Sequence, residues 1–306
     1  MEDTVTGLVI AAFGRHMRVR LEDGSERGAR PFGRALTVVC GDRVRCRIDA
    51  HHEELHVLEV TGRHHALYRS NLRGVPEPVV ANLSDLLVVL APLPAPDFFV
   101  IDRYLCAAYS AGITATLVLN KGDLGVDAYI DTELAAYDAW SYASLECSAQ
   151  AGGAGIEALR ARLGPGSVAA LVGQSGVGKS SLVRALVPGV EIEVGGLVRE
   201  EEGRHTTTAA RQYDMPGGAA LIDSPGVRDF APSIESLDER SLGFVEVEKL
   251  APGCRFADCR HMREPACAVQ AAVQEGQMHA RRYESYRRLR RLHEELSAAR
   301  GPKRPR

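Results

Sequence analysis

The run Gly173-Gln174-Ser175-Gly176-Val177-Gly178-Lys179-Ser180-Ser181 has the G-x-x-x-x-G-K-[ST] spacing of a phosphate-binding loop. A triphosphate needs backbone N–H groups around its oxygens, and glycines let the chain curl closely enough to supply them. Lys179 is then placed to reach the β- and γ-phosphates, and Ser180 to offer a hydroxyl to Mg²⁺. The apolar run 168–172 before the loop reads as a buried strand, and 181–186 after it as the first turns of a helix. A strand, a glycine-rich turn and a helix N-terminus together make an anion site.

Further along, Asp223-Ser-Pro-Gly226 closes the apolar run 219–222, as a D-x-x-G element at a strand end. Such an Asp holds Mg²⁺, usually through water, and the Gly amide senses the γ-phosphate. Between the two motifs lies Gly203-Arg-His205-Thr206-Thr207-Thr208. A threonine hydroxyl in this interval completes the Mg²⁺ shell when the γ-phosphate is present. Thr207 is the favoured residue and Thr206 the next. Val227 stands after the D-x-x-G, where many GTPases place a water-orienting Gln. Valine cannot hydrogen-bond a water, so unaided hydrolysis should be slow, and His205 is the nearest replacement for positioning it.

Upstream of the phosphate loop, Asn120-Lys121-Gly122-Asp123 has the N-K-x-D form that selects guanine. Asp123 can accept from the ring N–H and the exocyclic amine of guanine, a pair adenine lacks in that geometry. Lys121 can lay its stem along the ring. Asn120 can bind the guanine edge or tether the phosphate loop. The strand-like segment 141–149 ends in Ser148-Ala149, a loop that can offer a backbone N–H to the guanine carbonyl. The base motif thus precedes the phosphate motif, the reverse of the ordinary GTPase order.

A separate constellation lies near the C-terminus. Cys254, Cys259, His261 and Cys267 form C-x₄-C-x-H-x₅-C, a closed set of four ligands for a structural Zn²⁺. The other cysteines, Cys40, Cys46, Cys106 and Cys147, are scattered on apolar segments and read as small buried hydrophobes.

Motifs in the order NKGD, CSA, GQSGVGKS, GRHTTT, DSPG make the chain resemble the RsgA (YjeQ) family of circularly permuted GTPases. The resemblance covers nearly the whole chain. It implies an N-terminal OB-fold, a central permuted P-loop GTPase domain of α/β type and a C-terminal, mostly α zinc domain. It also implies binding to the small ribosomal subunit and its rRNA, with GTP hydrolysis stimulated there. It points as well to the histidine of the GRHTTT segment, His205, and to the same zinc motif.

The elements that must position these residues divide the chain into 1–65, 66–232 and 233–306. Five short strands are expected at 7–13, 17–21, 36–40, 43–48 and 55–60, with turns at 22–25 and 40–42. Arg18 with Arg20, and Arg43 with Arg45 and Arg47, are two apart and so share a sheet face. A five-stranded barrel with a basic face suits RNA. Residues 61–84 join it to the next domain. Helix periodicity runs over 278–297, with Tyr283, Tyr286 and Leu289 as its packed stripe. Arg281, Arg282, Arg287, Arg288, Arg290 and Arg291 are expected on its exterior. The last residues, 301–306, read as a disordered tail.

At 306 residues, 45% apolar and 25% charged, the chain has the composition of a soluble multidomain protein. Its net charge of −3 is unevenly spread: 12 basic against 19 acidic residues in 67–232, but 10 against 3 in 279–306. The basic C-terminal end is the expected electrostatic contact with RNA phosphate. No secretory signal and no membrane-length apolar run is seen, so a cytoplasmic monomer without membrane contact is expected. Two other functions compete with a GTPase: an RNA-binding zinc protein with a vestigial nucleotide switch, and a nucleotide-dependent metal chaperone.

Overall fold

The structure, a computed structural model, describes residues 4–33, 35–48, 54–71, 74–189, 210–224 and 231–299. The chain begins with five strands: β1 (Thr4–Phe13), β2 (His16–Leu21), β3 (Glu26–Pro31), β4 (Arg43–Ile48) and β5 (Leu55–Gly62). They pair in the order β1-β2-β3-β5-β4, and β4 returns to β1 to close a barrel. Only the β3–β5 pair is parallel. Strand alternation sends Val9, Met17, Val19, Val44, Cys46, Leu55 and Val57 into its core and leaves Arg18, Arg43 and Arg45 outside.

The third strand is not where the apolar pattern puts it. Residues 36–40 are irregular, and β3 is formed instead by Glu26–Pro31. The turn residues explain the strand: the Asp23 carboxylate accepts from the Ser25 N–H at 2.8 Å and returns the chain beside β2. Only Ala29 and Pro31 of β3 are buried, so it carries almost no hydrophobic alternation. The apolar segment is buried for another reason. Val39 donates its N–H to the Asp42 carboxylate (2.8 Å), and the Cys40 carbonyl accepts from Ala81 (3.0 Å). It is a packed seam between the barrel and the next layer.

A hairpin of β6 (Leu67–Ser70) and β7 (Pro76–Val80) leads into the central sheet. This sheet comprises β8 (Asp85–Leu90), β9 (Thr114–Leu119), β10 (Ala143–Glu146), β11 (Val168–Val172), β12 (Ala210–Asp214) and β13 (Ala220–Asp223). Their order is β10-β9-β8-β11-β13-β12, all parallel except β12. Each face is covered, so β8 is buried along its whole length. Leu86, Val88 and Leu90 pack with α1 (Phe98–Ser110) and α2 (Ala128–Asp138). The alternate residues Leu87 and Val89 pack with α3 (Ala154–Arg162) and α4 (Lys179–Leu186). Strand β12 also pairs antiparallel with barrel strand β1, Ala11 opposite Arg211 and Ala12 opposite Ala210. Barrel and central sheet are therefore one continuous hydrogen-bonded surface of eleven strands.

The C-terminal part carries α5 (Val245–Leu250), α6 (Ala268–Gln274) and α7 (Ala280–Ala299). Tyr286 and Leu289 are fully buried, and Tyr283 packs partly buried against the same cluster as α1. The arginines of α7 do not all face outward. Arg282 and Arg290 are buried and Arg281 is half-buried, while Arg288 and Arg291 are exposed. Arg282 binds Asp102 of α1 at 2.6 Å and Glu246 of α5 at 2.6 Å, all three 0% exposed. Arg281 binds the other Asp102 oxygen at 2.6 Å and also Glu133 of α2. Tyr137 donates to Asp102 (2.5 Å), and Tyr142 accepts from Arg282 (3.0 Å). Buried charges persist only when paired this completely. Two of the six arginines expected outside, Arg281 and Arg282, thus form the bolt holding α7 onto α1 and α2.

Candidate nucleotide and metal sites

The phosphate loop follows β11 and ends at α4, whose first residue is Lys179. Gly173 has φ 143°, and a Cβ there would lie 2.2 Å from the Val89 carbonyl oxygen. At Gly178, φ 95°, a Cβ would lie 2.3 Å from the Asn120 amide nitrogen. These glycines are required both by backbone conformation and by the closeness of the neighbouring strands. Lys179 is buried and folds back so that Nζ donates to the carbonyls of Gly173 (2.6 Å) and Gln174 (2.7 Å). Ser175 and Gly176 form the turn, and Ser180 and Ser181 lie in the first turn of α4.

Asn120, 1% exposed at the end of β9, joins three segments. Its Nδ2 donates to the Val177 carbonyl at 2.8 Å, and its Oδ1 accepts from the Ala149 N–H at 3.0 Å. Of the two roles open to it, the tether is the one the geometry displays. Lys121, at φ 59°, donates from Nζ to the Gly176 carbonyl (2.7 Å) and the Leu93 carbonyl (2.8 Å). Gly122 donates to the Cys147 carbonyl at 3.1 Å. Ser148 caps its own loop by accepting from Ala151 at 3.1 Å. Asp123 is left exposed on a short 3-10 turn beside these groups. The structure therefore brings the base motif, the Ser148-Ala149 loop and the phosphate loop together, although the chain separates them widely.

Asp223 ends β13, beside β11 in the sheet, so its backbone emerges at the same edge as the phosphate loop. Ser224 is buried. His205, Thr206, Thr207, Gly226 and Val227 lie outside the described residues. One partner of the loop went unread in the sequence. The Gln174 side chain accepts from the Asp97 N–H at 2.9 Å. Asp97 is also the N-cap of α1, accepting from Phe99 (3.0 Å) and Val100 (3.3 Å). An Asp before the apolar run 98–101 was the available signal.

Cys254, Cys259, His261 and Cys267 have their ligand atoms all within 4.8 Å of one another. His261 Nδ1 lies 3.4 Å from both the Cys254 and Cys267 sulfurs, which are 3.9 Å apart. Tetrahedral bonds of zinc's lengths require about 3.5 Å for N···S and about 3.8 Å for S···S. The set could therefore hold one zinc ion. His261 takes φ 59° to aim its ring inward, and Tyr283 donates to its carbonyl at 2.7 Å. Burial first, and then Arg290, lower the His261 pKa and favour the neutral, ligating imidazole. Burial pushes the Cys259 thiol up to about 12, a cost that a bound cation reverses.

Glu264 stabilises this turn and was not singled out in the sequence. Its carboxylate accepts from the N–H groups of Arg260 (2.9 Å), Met262 (2.8 Å) and Arg263 (2.9 Å). Burial alone would raise its pKa; the surrounding N–H groups outweigh that and hold it at about 2. The remaining cysteines, Cys40, Cys46, Cys106 and Cys147, are all buried. Burial pushes Cys40 up to about 12 and Cys46 and Cys147 to about 11, which makes them inert thiols.

Residues 60–232 match the model of the family described as RsgA GTPase. A small ribosomal subunit biogenesis GTPase RsgA of Azotobacter vinelandii (strain DJ / ATCC BAA-1303) is 45% identical over 291 residues, covering 92% of this chain and 84% of that one. Its counterpart of the same name in Ectopseudomonas mendocina (strain ymp) is 43% identical, covering 93% and 84%. The crystal structure of YjeQ from Thermotoga maritima superposes with TM-score 0.72 at 25% identity, over 98% of this chain and 100% of that one. YloQ, described as a circularly permuted GTPase, shares the fold with TM-score 0.66 at 20% identity, over 99% and 98%. With its base motif preceding its phosphate loop on one P-loop sheet, the chain belongs to the RsgA GTPase family.

Proposed function

We propose that this chain binds the small ribosomal subunit, assists its late maturation, and hydrolyses GTP to GDP and phosphate faster when bound there. The observation that carries this reading is the junction at Asn120, which ties the Ala149 loop to the phosphate loop through two hydrogen bonds. Base selection and phosphate binding are thereby built as one site. The curated relatives named for small-subunit biogenesis, covered over 84% of their length, support the assignment of partner.

In this reading Asp123 accepts from guanine and Lys121 lies along the base, while Ser148 and Ala149 border its carbonyl side. Residues 173–181 surround the phosphates, and Lys179 exchanges its two carbonyl partners for phosphate oxygens. Ser180, Asp223 and Thr207 would hold Mg²⁺, whose charge would offset that of the phosphates. Thr206 borders the nucleotide, the Gly226 amide senses the γ-phosphate, and His205 positions the attacking water once the subunit is bound. Cys254, Cys259, His261 and Cys267 hold one structural Zn²⁺. The working units are 1–65, 66–232 and 233–306, in a monomer acting in the cytoplasm. Among the described residues no helix is long and apolar enough to cross a membrane.

Loss of phosphate is transmitted through the Asp223–Gly226 loop into the residues after 232. There Ser233 donates its N–H to the Tyr68 carbonyl (2.8 Å) and Glu235 accepts from Ser70 (3.1 Å), joining the zinc unit to the β6–β7 hairpin. The deciding experiment measures GTP turnover with and without purified small subunits, with Lys179→Ala as the blank. Stimulation by subunits is expected, and its loss in His205→Ala. Unstimulated turnover with tight RNA binding would instead favour an RNA-binding protein with a vestigial switch. Equal subunit affinity with GDP and a non-hydrolysable GTP analogue would remove the transmission step.

A further inference from the structure

The barrel carries one large apolar side chain that its fold does not use. Phe32, directly after β3, is 55% exposed. Its backbone is nevertheless held on both sides. The Phe32 N–H donates to the Val57 carbonyl at 2.8 Å, and Arg15 donates to the Gly33 carbonyl at 2.7 Å. A ring on a pinned backbone is presented to solvent rather than left on a loose loop. Burying it would favour folding, so folding is not what keeps it outside.

Its neighbours among the described residues are polar rather than apolar. Strand register places Arg30, His56 and Arg47 in one row across β3, β5 and β4. Phe32 is two residues on from Arg30 and shares its outward face. The Arg47 guanidinium carbon lies 5.0 Å from the ring centroid, and the His56 ring meets it edge-on at 6.2 Å and 88°. Arg30 is paired with Glu54 at 3.2 Å. Among the described residues the only other exposed large hydrophobic of the barrel is Phe13, at the end of β1. A protein-docking patch would need apolar neighbours that this face lacks among the described residues. One exposed aromatic ring with guanidinium groups beside it fits the other chemistry, a base stacked on the ring and its phosphates drawn to the arginines.

We propose that Phe32, with Arg47 and His56, is a stacking site for an unpaired base of single-stranded RNA. This deepens the small-subunit reading and rests on it for the source of that RNA. The site lies at the opposite end of β5 from that strand's contact with Asn82. His56 begins β5, whose other end at Gly62 accepts from Asn82 (3.0 Å), about 20 Å away at strand rise. None of Phe32, Arg47 and His56 belongs to the nucleotide site, so substitutions there can be separated from effects on turnover.

The test is titration of the full chain against fluorescein-labelled oligoadenylate RNA and against a duplex RNA of equal length, across a range of salt. Phe32→Ala is expected to weaken oligoadenylate binding at least about fivefold, the loss typical of one stacked base, and to leave duplex binding unchanged. Phe32→Trp should restore the affinity. Arg47→Gln should lower the salt slope by about one charge, which Phe32→Ala should not. Thermal melting checks that each variant is folded. The proposal is overturned if the wild-type chain does not bind oligoadenylate, or if Phe32→Ala binds it as well as wild type. It is also overturned if that variant loses only intact subunits, which would mark a protein contact. Subunit-stimulated GTP turnover of the wild type is measured alongside. Its absence would defeat the parent reading, whereas an unaffected Phe32→Ala titration defeats this one alone.

Discussion

Asn120 shows how much of a nucleotide site one side chain can hold together. Its amide has one donor aimed at the Val177 carbonyl and its oxygen aimed at the Ala149 N–H, and it is almost fully buried. Asn120→Ala would leave both partners without their bond, at about 1–3 kcal/mol for each buried group. GTP affinity should fall at least about tenfold, read by fluorescence of a labelled nucleotide, with the melting temperature lowered in the same variant. Arg282 is the counterpart on the structural side. Arg282→Ala strands Asp102 and Glu246, both 0% exposed, and should cost about 3–5 kcal/mol in chemical denaturation. Arg288, exposed on the same helix, should cost within about 0.5 kcal/mol when changed to Ala. Periodicity reveals that a helix has arginines on several faces. Whether a face meets water or two carboxylates depends on α1 and α5, so Arg282 could not be told from Arg288 in the sequence.

The elements divide by whether their cause is local. Strand β11 is an apolar run ending in the phosphate loop, and it was legible with its motif at its observed bounds. The glycines at 173 and 178 and the Asp at 123 carry their reasons with them. Strand β3 was not legible, because Glu26–Pro31 is held by hairpin geometry and a parallel partner far along the chain rather than by its own hydrophobicity. The turn that could hold zinc is intermediate. Its candidate ligands were readable from spacing, whereas Glu264 acts only through the N–H groups that the folded turn points at it. Glu264→Ala should lower zinc retention about 10- to 100-fold in competition with a chelator, as loss of outer-shell support does elsewhere. Its folded pKa of about 2 lies below the ordinary carboxyl value near 4.3. The stabilisation it supplies is therefore complete above about pH 4.3 and is lost as pH falls towards 2. Glu264→Gln, which keeps the shape but not the charge, should flatten the acid limb of a melting-temperature profile.

At the scale of the whole molecule, the three parts are joined by unlike means. The C-terminal unit shares a hydrophobic cluster with α1 and α2 and is bolted to them by the Arg281–Arg282 ion pairs. The barrel meets the central sheet through the seam at Cys40 and Ala81 and through the β1–β12 ladder. No motif announces that ladder, since Ala11 and Ala12 carry no chemistry and their partners are nearly two hundred residues away. Its consequence concerns how the molecule can be cut. A fragment lacking residues 1–65 would turn β12 into a bare sheet edge, with unpaired backbone groups that invite other chains. Such a fragment should self-associate, seen as a concentration-dependent mass in light scattering, whereas the full chain should not. Placing Pro at position 12 in the intact protein, which removes one N–H from the ladder, should shift that behaviour part of the way. The barrel thus also acts as a permanent cover for a strand that a separate GTPase domain would have to protect in some other manner.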